Sequence, residues 1–173
     1  MQRIAIIGCS GTGKSTLARK VGARLGLPVV HLDALYWEPG WVEPETAAFR
    51  ARVAAAHAGE RWVSEGLYLS KTFDLRLPRA ELIVWLHQPR WLCIARVVWR
   101  ALTYRKGTRP DLAPGCHEQF DSGFLPLLAY IWTFEREKRP RTEAAIAQLA
   151  PGTPVVHLRG DREAAAFVQG LTP

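Results

Sequence analysis

The segment Gly8-Cys9-Ser10-Gly11-Thr12-Gly13-Lys14-Ser15 follows the apolar run Ile4-Ala5-Ile6-Ile7 and leads into a helical pattern. Its glycines, lysine and terminal hydroxyl have the G-x-x-x-x-G-K-[ST] spacing of a phosphate-binding loop. Gly8, Gly11 and Gly13 let the backbone curl with positive φ, turning successive N–H groups inward onto phosphate oxygens where a Cβ would obstruct. Lys14 carries an ammonium to the β and γ phosphates, and Ser15 offers its hydroxyl to a bridging Mg²⁺. Both open a helix whose N-terminus has a partial positive charge and unpaired N–H donors. With Ser10, Thr12 and Thr16 they form the expected contact set for ATP and Mg²⁺.

Phosphoryl transfer is mostly positioning and charge neutralisation. Beyond the loop it needs a carboxylate to order Mg²⁺, cations over the γ phosphate, and a pocket for the acceptor. Asp33 and Glu65 both fall at the carboxyl ends of expected parallel strands, where ligands bind in open α/β sheets. An acceptor hydroxyl must lose a proton as it attacks, which suits Asp33 as a base. Glu65, with Ser15 and Asp33, belongs to the expected metal set, through a magnesium-bound water in the case of Glu65. Arg96 and Arg100 stand four apart on one helix face. Tyr36, Trp37 and Trp41 cluster in one loop, where they either stack on a flat acceptor or roof the core. Arg76, Arg136, Arg139 and Arg141 are expected at the surface.

The elements that must position these groups alternate strand and helix along the chain, which favours a parallel sheet covered on both faces. A strand over about 2–7 precedes a helix over 14–25, with Leu17, Val21 and Leu25 on one side and Gly26 and Pro28 as its stop. Val29-Val30-His31-Leu32 reads as a short buried strand, 36–44 as a loop, and 45–58 as an alanine-rich helix. Trp62-Val63-Ser64 is a third strand, and Glu81–Leu86 a nearly all-apolar, central fourth. A helix spans about 90–105, and residues 106–116 have the composition of an exposed loop. Helical pattern resumes over 117–149, bent or divided at Pro126 and Pro140. Pro154–Leu158 is the last strand, and Asp161 is expected to cap a closing helix.

With 173 residues the chain fits one domain, 1–173. No apolar run approaches the roughly 20 residues of a membrane span, and the N-terminus enters the first strand directly, so a cytoplasmic location is expected. Lys and Arg number 23 against 16 Asp and Glu, a net charge of +7. Such a field attracts polyanions, either a nucleotide or nucleic acid. No DNA-reading module or basic tail is present, so the phosphate loop accounts better for the charge. Cys9, Cys93 and Cys116 are odd in number and far apart, which predicts free thiols. Cys116-His117 lacks the further ligands of a zinc site.

Six segments, GCSGTGKSTLARK at 8–20, HLDALYWEPGW at 31–41, WVSEGLY at 62–68, the arginine helix at 90–105, GCHEQFD at 115–121 and VVHLRG at 155–160, resemble the adenylate-kinase-like branch of P-loop kinases. The second and fifth are most similar to the small topology-modulation proteins. The resemblance implies an α/β three-layer P-loop NTPase of nucleotide-kinase type, with a mostly parallel five-stranded sheet and a helical lid inserted around 100–120. In adenylate kinases an arginine pair like Arg96 and Arg100 leads into the lid, so Arg96 is expected to flank the base and Arg100 the phosphates. Arg105 and Arg109 would then close over the γ phosphate and exclude water. Adenylate kinases carry arginines after the aspartate of the second strand and after the third strand. Here Tyr36 and Trp37 occupy the first neighbourhood, and Leu69, Ser70 and Lys71 the second. That departure favours a hydroxyl acceptor over a nucleoside monophosphate. The implied activity is ATP- and Mg²⁺-dependent phosphotransfer to a small molecule. The alternatives are an ATP-binding regulatory protein acting on DNA topology with little turnover, and a slow ATPase with a protein partner.

Overall fold

The computed structural model describes residues 1–104, 115–116 and 123–172. β1 (Arg3–Gly8) runs into the phosphate loop and then into α1 (Lys14–Leu25), which Gly26 ends in the left-handed region at φ 63°. β2 (Val29–His31) passes directly into a five-residue helix, α2 (Leu32–Tyr36). α3 (Thr46–Ala56), β3 (Trp62–Glu65), α4 (Leu69–Arg76), a 3₁₀ turn (Leu77–Arg79) and β4 (Leu82–His87) follow. α5 (Arg90–Thr103), α6 (Phe124–Glu137), α7 (Arg139–Leu149), β5 (Val155–Arg159) and α8 (Gly160–Gly170) complete the described chain.

The five strands form one sheet in the order β2-β3-β1-β4-β5, with every pairing parallel. β1 therefore lies at the centre, and the crossovers leave it towards both edges. The carboxyl ends of β1, β2 and β3 come together where the connections diverge, the usual ligand position in such sheets.

Alternation along β1 sorts the core. Ile4 and Ile6 face Leu17, Ala18 and Val21 of α1 and Ala164, Phe167 and Val168 of α8. Ala5 and Ile7 face Phe73 of α4, Leu77 and Ile146 of α7. The sheet thus lies between two helical layers, and burial of each large aliphatic side chain contributes about 1.5–3 kcal/mol. β4 is apolar at five successive positions because both its faces are covered.

The expected helix over 117–149 is two helices. Pro140 lies in the first turn of α7, where its missing N–H costs no helical bond, and Pro126 sits likewise in the first turn of α6. Asp161 does not cap α8. Arg159 holds the cap position, and the Asp161 carboxylate accepts from Gln88 and Arg96. The segment 106–116 is not exposed at its end: Cys116 is fully buried, its Sγ 3.3 Å from the Glu38 carbonyl, and the Gly40 N–H donates to the Gly115 carbonyl. Most of the expected lid insertion, with Arg105, Arg109 and His117, lies outside the described residues. All three cysteines are free. No described helix is long and apolar enough to cross a membrane.

Candidate active site

Gly8, Gly11 and Gly13 have φ of 147°, 81° and 97°, the curl that turns loop amides inward. At two of them the framework adds a second demand. A Cβ on Gly8 would stand 2.5 Å from the Leu86 carbonyl oxygen, and one on Gly11 the same distance from that of Cys93. These glycines let the loop pack against the end of β4 and the start of α5, a constraint separate from access to phosphate.

The Cys9 carbonyl gathers the loop. It accepts from the Thr12 hydroxyl at 2.8 Å and from Lys14 Nζ at 2.9 Å. Thr12 is consequently buried with its hydroxyl turned inward, while Ser10 and Lys14 line a cavity of about 800 Å³. Burial pushes the Cys9 thiol up to about 12, so it stays protonated beside the lysine.

Asp33 and Arg100 line that same cavity, as do Tyr36, Trp37, Trp41, Tyr68, Lys71, Phe124 and Tyr130. Asp33 stands in the first turn of α2, two residues beyond the end of β2. Its Oδ1 accepts a 2.8 Å bond from the Tyr68 hydroxyl. Burial, and then the Asp33 charge, push the Tyr68 phenol far up, so that it remains a donor.

Glu65 ends β3 and is almost wholly buried. Its cross-strand neighbour in the sheet register is His31, whose Nδ1 is 2.8 Å from Glu65 Oε1. The Ser15 hydroxyl also favours the ionised form of this carboxylate. Burial alone would raise the carboxyl, but the His31 bond, the Lys14 charge and the Ser15 hydroxyl together hold it below the usual carboxylate range. An ionised carboxylate with the loop's hydroxyl is an oxygen donor set suited to Mg²⁺, which keeps several waters and takes one or two protein ligands plus phosphate oxygens. Asp33, the third expected metal ligand, accepts the Tyr68 bond on Oδ1. Among the described residues no group of three His, Cys, Asp or Glu side chains could hold a metal by itself.

Arg96 and Arg100 share a helix face but serve different cavities. Arg96 lines a second cavity of about 380 Å³ with Thr12, Gly13, Thr16, Lys20 and Asp161. Its guanidinium donates to the Thr12 carbonyl and pairs with Asp161. The chain thus separates a pocket beyond the loop from the larger one before it.

Arg76 is a correction to the sequence reading. It is fully buried and donates to the carbonyls of Gly66 at 2.7 Å and Leu67 at 2.5 Å. Its Nε reaches the Thr72 hydroxyl. Burial lowers it to about 9. Arg136 and Arg139 are indeed surface residues paired with helix-borne glutamates, whereas Arg141, though exposed, lines the large cavity. Tyr36 is buried, edge-on to Trp37 and Phe49, while Trp37 and Trp41 pack edge-to-face with centroids 5.2 Å apart. The aromatic cluster therefore both roofs the α2–α3 core and walls the cavity.

Neither a protein-family model nor a curated protein sequence matches the chain. Solved structures do match. Shikimate kinase from Bacteroides thetaiotaomicron aligns with a TM-score of 0.59 at 17% identity, covering 97% of this chain and 94% of that one. Shikimate kinase from Acinetobacter baumannii, in complex with shikimate, gives 0.57 at 14% over 98% and 89%. A gluconokinase from Sinorhizobium meliloti gives 0.53 at 19% over 97% and 91%. The fold is that of P-loop small-molecule kinases. At these identities the likeness is one of architecture, and the chemistry must be argued from the side chains present.

Proposed function

We propose that this protein is an ATP- and Mg²⁺-dependent kinase that phosphorylates a hydroxyl of a small molecule. The observation that carries this reading is one cavity of about 800 Å³ lined by both Lys14 of the phosphate loop and Asp33 at the end of β2. A phosphate donor and a carboxylate base thereby share one space, and the volume suits a small-molecule ligand.

In this reading the loop amides and Lys14 hold the donor phosphates, and Arg100 adds charge from α5. Ser15 and Glu65 hold the metal, which when bound neutralises charge on the phosphate oxygens. Asp33 takes the acceptor proton, with Tyr68 fixing its carboxylate. Arg96 flanks the base in the second cavity, where a planar guanidinium serves better than lysine. Tyr36 and Trp37 stand where adenylate kinases carry an acceptor arginine, which supports a hydroxyl acceptor.

The test is ADP release with MgATP and a panel of hydroxylated acceptors, nucleosides, sugars and hydroxy acids, with nucleoside monophosphates alongside. Acceptor-dependent release that Lys14→Ala abolishes is expected. The likeness of HLDALYWEPGW and GCHEQFD to topology-modulation proteins supports a regulatory role instead if no acceptor stimulates turnover and the protein binds DNA with a steep salt dependence.

A further inference from the structure

Resting on the kinase reading, we infer that the acceptor carries an oxyanion, a carboxylate or a phosphate monoester, held by Lys138 and Arg141 where the α6–α7 corner meets the cavity.

The cations of that corner fall into two groups. Arg136 pairs with Glu137, and Arg139 with Glu135 and Glu143 on flanking turns. Lys138 and Arg141 both line the large cavity, and neither makes an ion pair or side-chain hydrogen bond among the described residues. The corner thus neutralises its outward cations internally and leaves the two that face the cavity for a ligand.

The other charges of the cavity have their own work. Lys14 serves the phosphate loop, and Arg100 is assigned to the donor. Lys71 lies over the Tyr36 ring, 4.4 Å from its centroid, and 3.7 Å from Glu43. The Glu43 carboxylate also accepts from the Tyr36 hydroxyl. Asp33 is the base. Among the described residues that leaves Lys138 and Arg141 as the two cations without assigned work, beside the aromatic lining of Trp37, Trp41, Phe124 and Tyr130. An apolar, partly planar body with a hydroxyl towards Asp33 and an anionic group towards Arg141 satisfies every part of this lining. A planar guanidinium grips either oxyanion through two parallel bonds, and lysine adds a point charge. A neutral sugar or nucleoside leaves both cations without a counter-charge.

Binding and turnover test this separately. With MgADP saturating the phosphate loop, tryptophan fluorescence titrations compare benzoate, phenyl phosphate and neutral benzamide. Binding of benzoate or phenyl phosphate, at least about tenfold tighter than benzamide, is expected, and the tighter of the two identifies the oxyanion. Lys138→Gln and Arg141→Gln each weaken it about tenfold while MgADP affinity is unchanged, and Arg136→Gln, outside the cavity, has no effect. Equal binding of benzamide, no binding of either anion, or anion binding indifferent to both variants overturns the inference. In the turnover arm, hydroxy acids and sugar phosphates are compared with their methyl esters and free sugars. Turnover of neutral acceptors in preference to anionic ones overturns the inference and leaves the kinase reading intact. Anion binding as expected, with no acceptor-dependent ADP release, does the reverse.

Discussion

The Tyr68 hydroxyl donates to Asp33 Oδ1 across the gap between the β2 and β3 ends, and Tyr68 does so from a left-handed backbone, φ 38°, at the cap of α4. A non-glycine residue held there is strained, and its strain is maintained by the turn around it. The bond fixes the orientation of the Asp33 carboxylate where it lines the cavity. Tyr68→Phe removes the orienting donor without changing volume. Steady-state kinetics should show kcat down about tenfold, with KM for ATP within about twofold. An unchanged kcat would separate Tyr68 from the chemistry.

Asp33→Asn keeps the size and the Tyr68 contact but cannot take a proton. Transfer to a hydroxyl should fall about 10²-fold or more. Binding of MgATP, followed by calorimetry, should be unaltered. Transfer at the normal rate would remove Asp33 from the role of base.

Ser15 and Glu65 belong to different elements, the start of α1 and the end of β3, yet the Ser15 hydroxyl helps hold the Glu65 carboxylate ionised, so the two act as one donor set. Glu65→Gln preserves the shape while deleting the charge that His31 and Lys14 face. The Mg²⁺ concentration giving half-maximal rate should rise about tenfold, with nucleotide binding in the absence of metal little changed. An unaltered Mg²⁺ requirement would assign Glu65 to the fold alone.

Arg76 anchors the β3–α4 turn from beneath through the Gly66 and Leu67 carbonyls, directly before Tyr68. Arg76→Met fills the space but leaves two buried acceptors without a donor. Urea unfolding should show a loss of about 2–4 kcal/mol. At temperatures where the variant remains folded, kcat should fall while KM for ATP holds, because the turn that carries Tyr68 has slackened.

Arg76 also marks where sequence stops being legible. The phosphate loop, the strand order's parallel character and the strand-end carboxylates were readable because each is local: glycine spacing, apolar alternation, an acid directly after a strand. Arg76-Leu77-Pro78-Arg79 reads as a charged surface turn because nothing local says that two carbonyls nine and ten residues upstream need a donor. Tyr68 was hidden for the same reason, since its contact with Asp33 spans 35 positions. Lys138 and Arg141 look no different in sequence from their paired neighbours Arg136 and Arg139. Only the packing of α6 and α7 beside the cavity distinguishes them.

His57 closes α3 with Nδ1 2.7 Å from the Val53 carbonyl, which fixes the proton on that nitrogen, and its ring meets Trp62 edge-on. Its Nε2 is buried and has no hydrogen-bond partner among the described residues. Burial, opposed only by the Val53 bond, lowers the imidazole from 6.5 to about 4. The folded protein therefore keeps His57 neutral where the unfolded chain protonates it. Between pH 6.5 and 4 the unfolded state binds more protons, so stability falls as pH falls through that window, by up to about 3 kcal/mol in total. Above pH 6.5 this contribution is fully present and flat. Unfolding free energies measured in urea from pH 4.5 to 7.5 should rise with pH and then level off. His57→Phe, which cannot titrate, should reduce the slope below pH 6.5 by nearly one proton, and an unchanged slope would mean that other groups carry it.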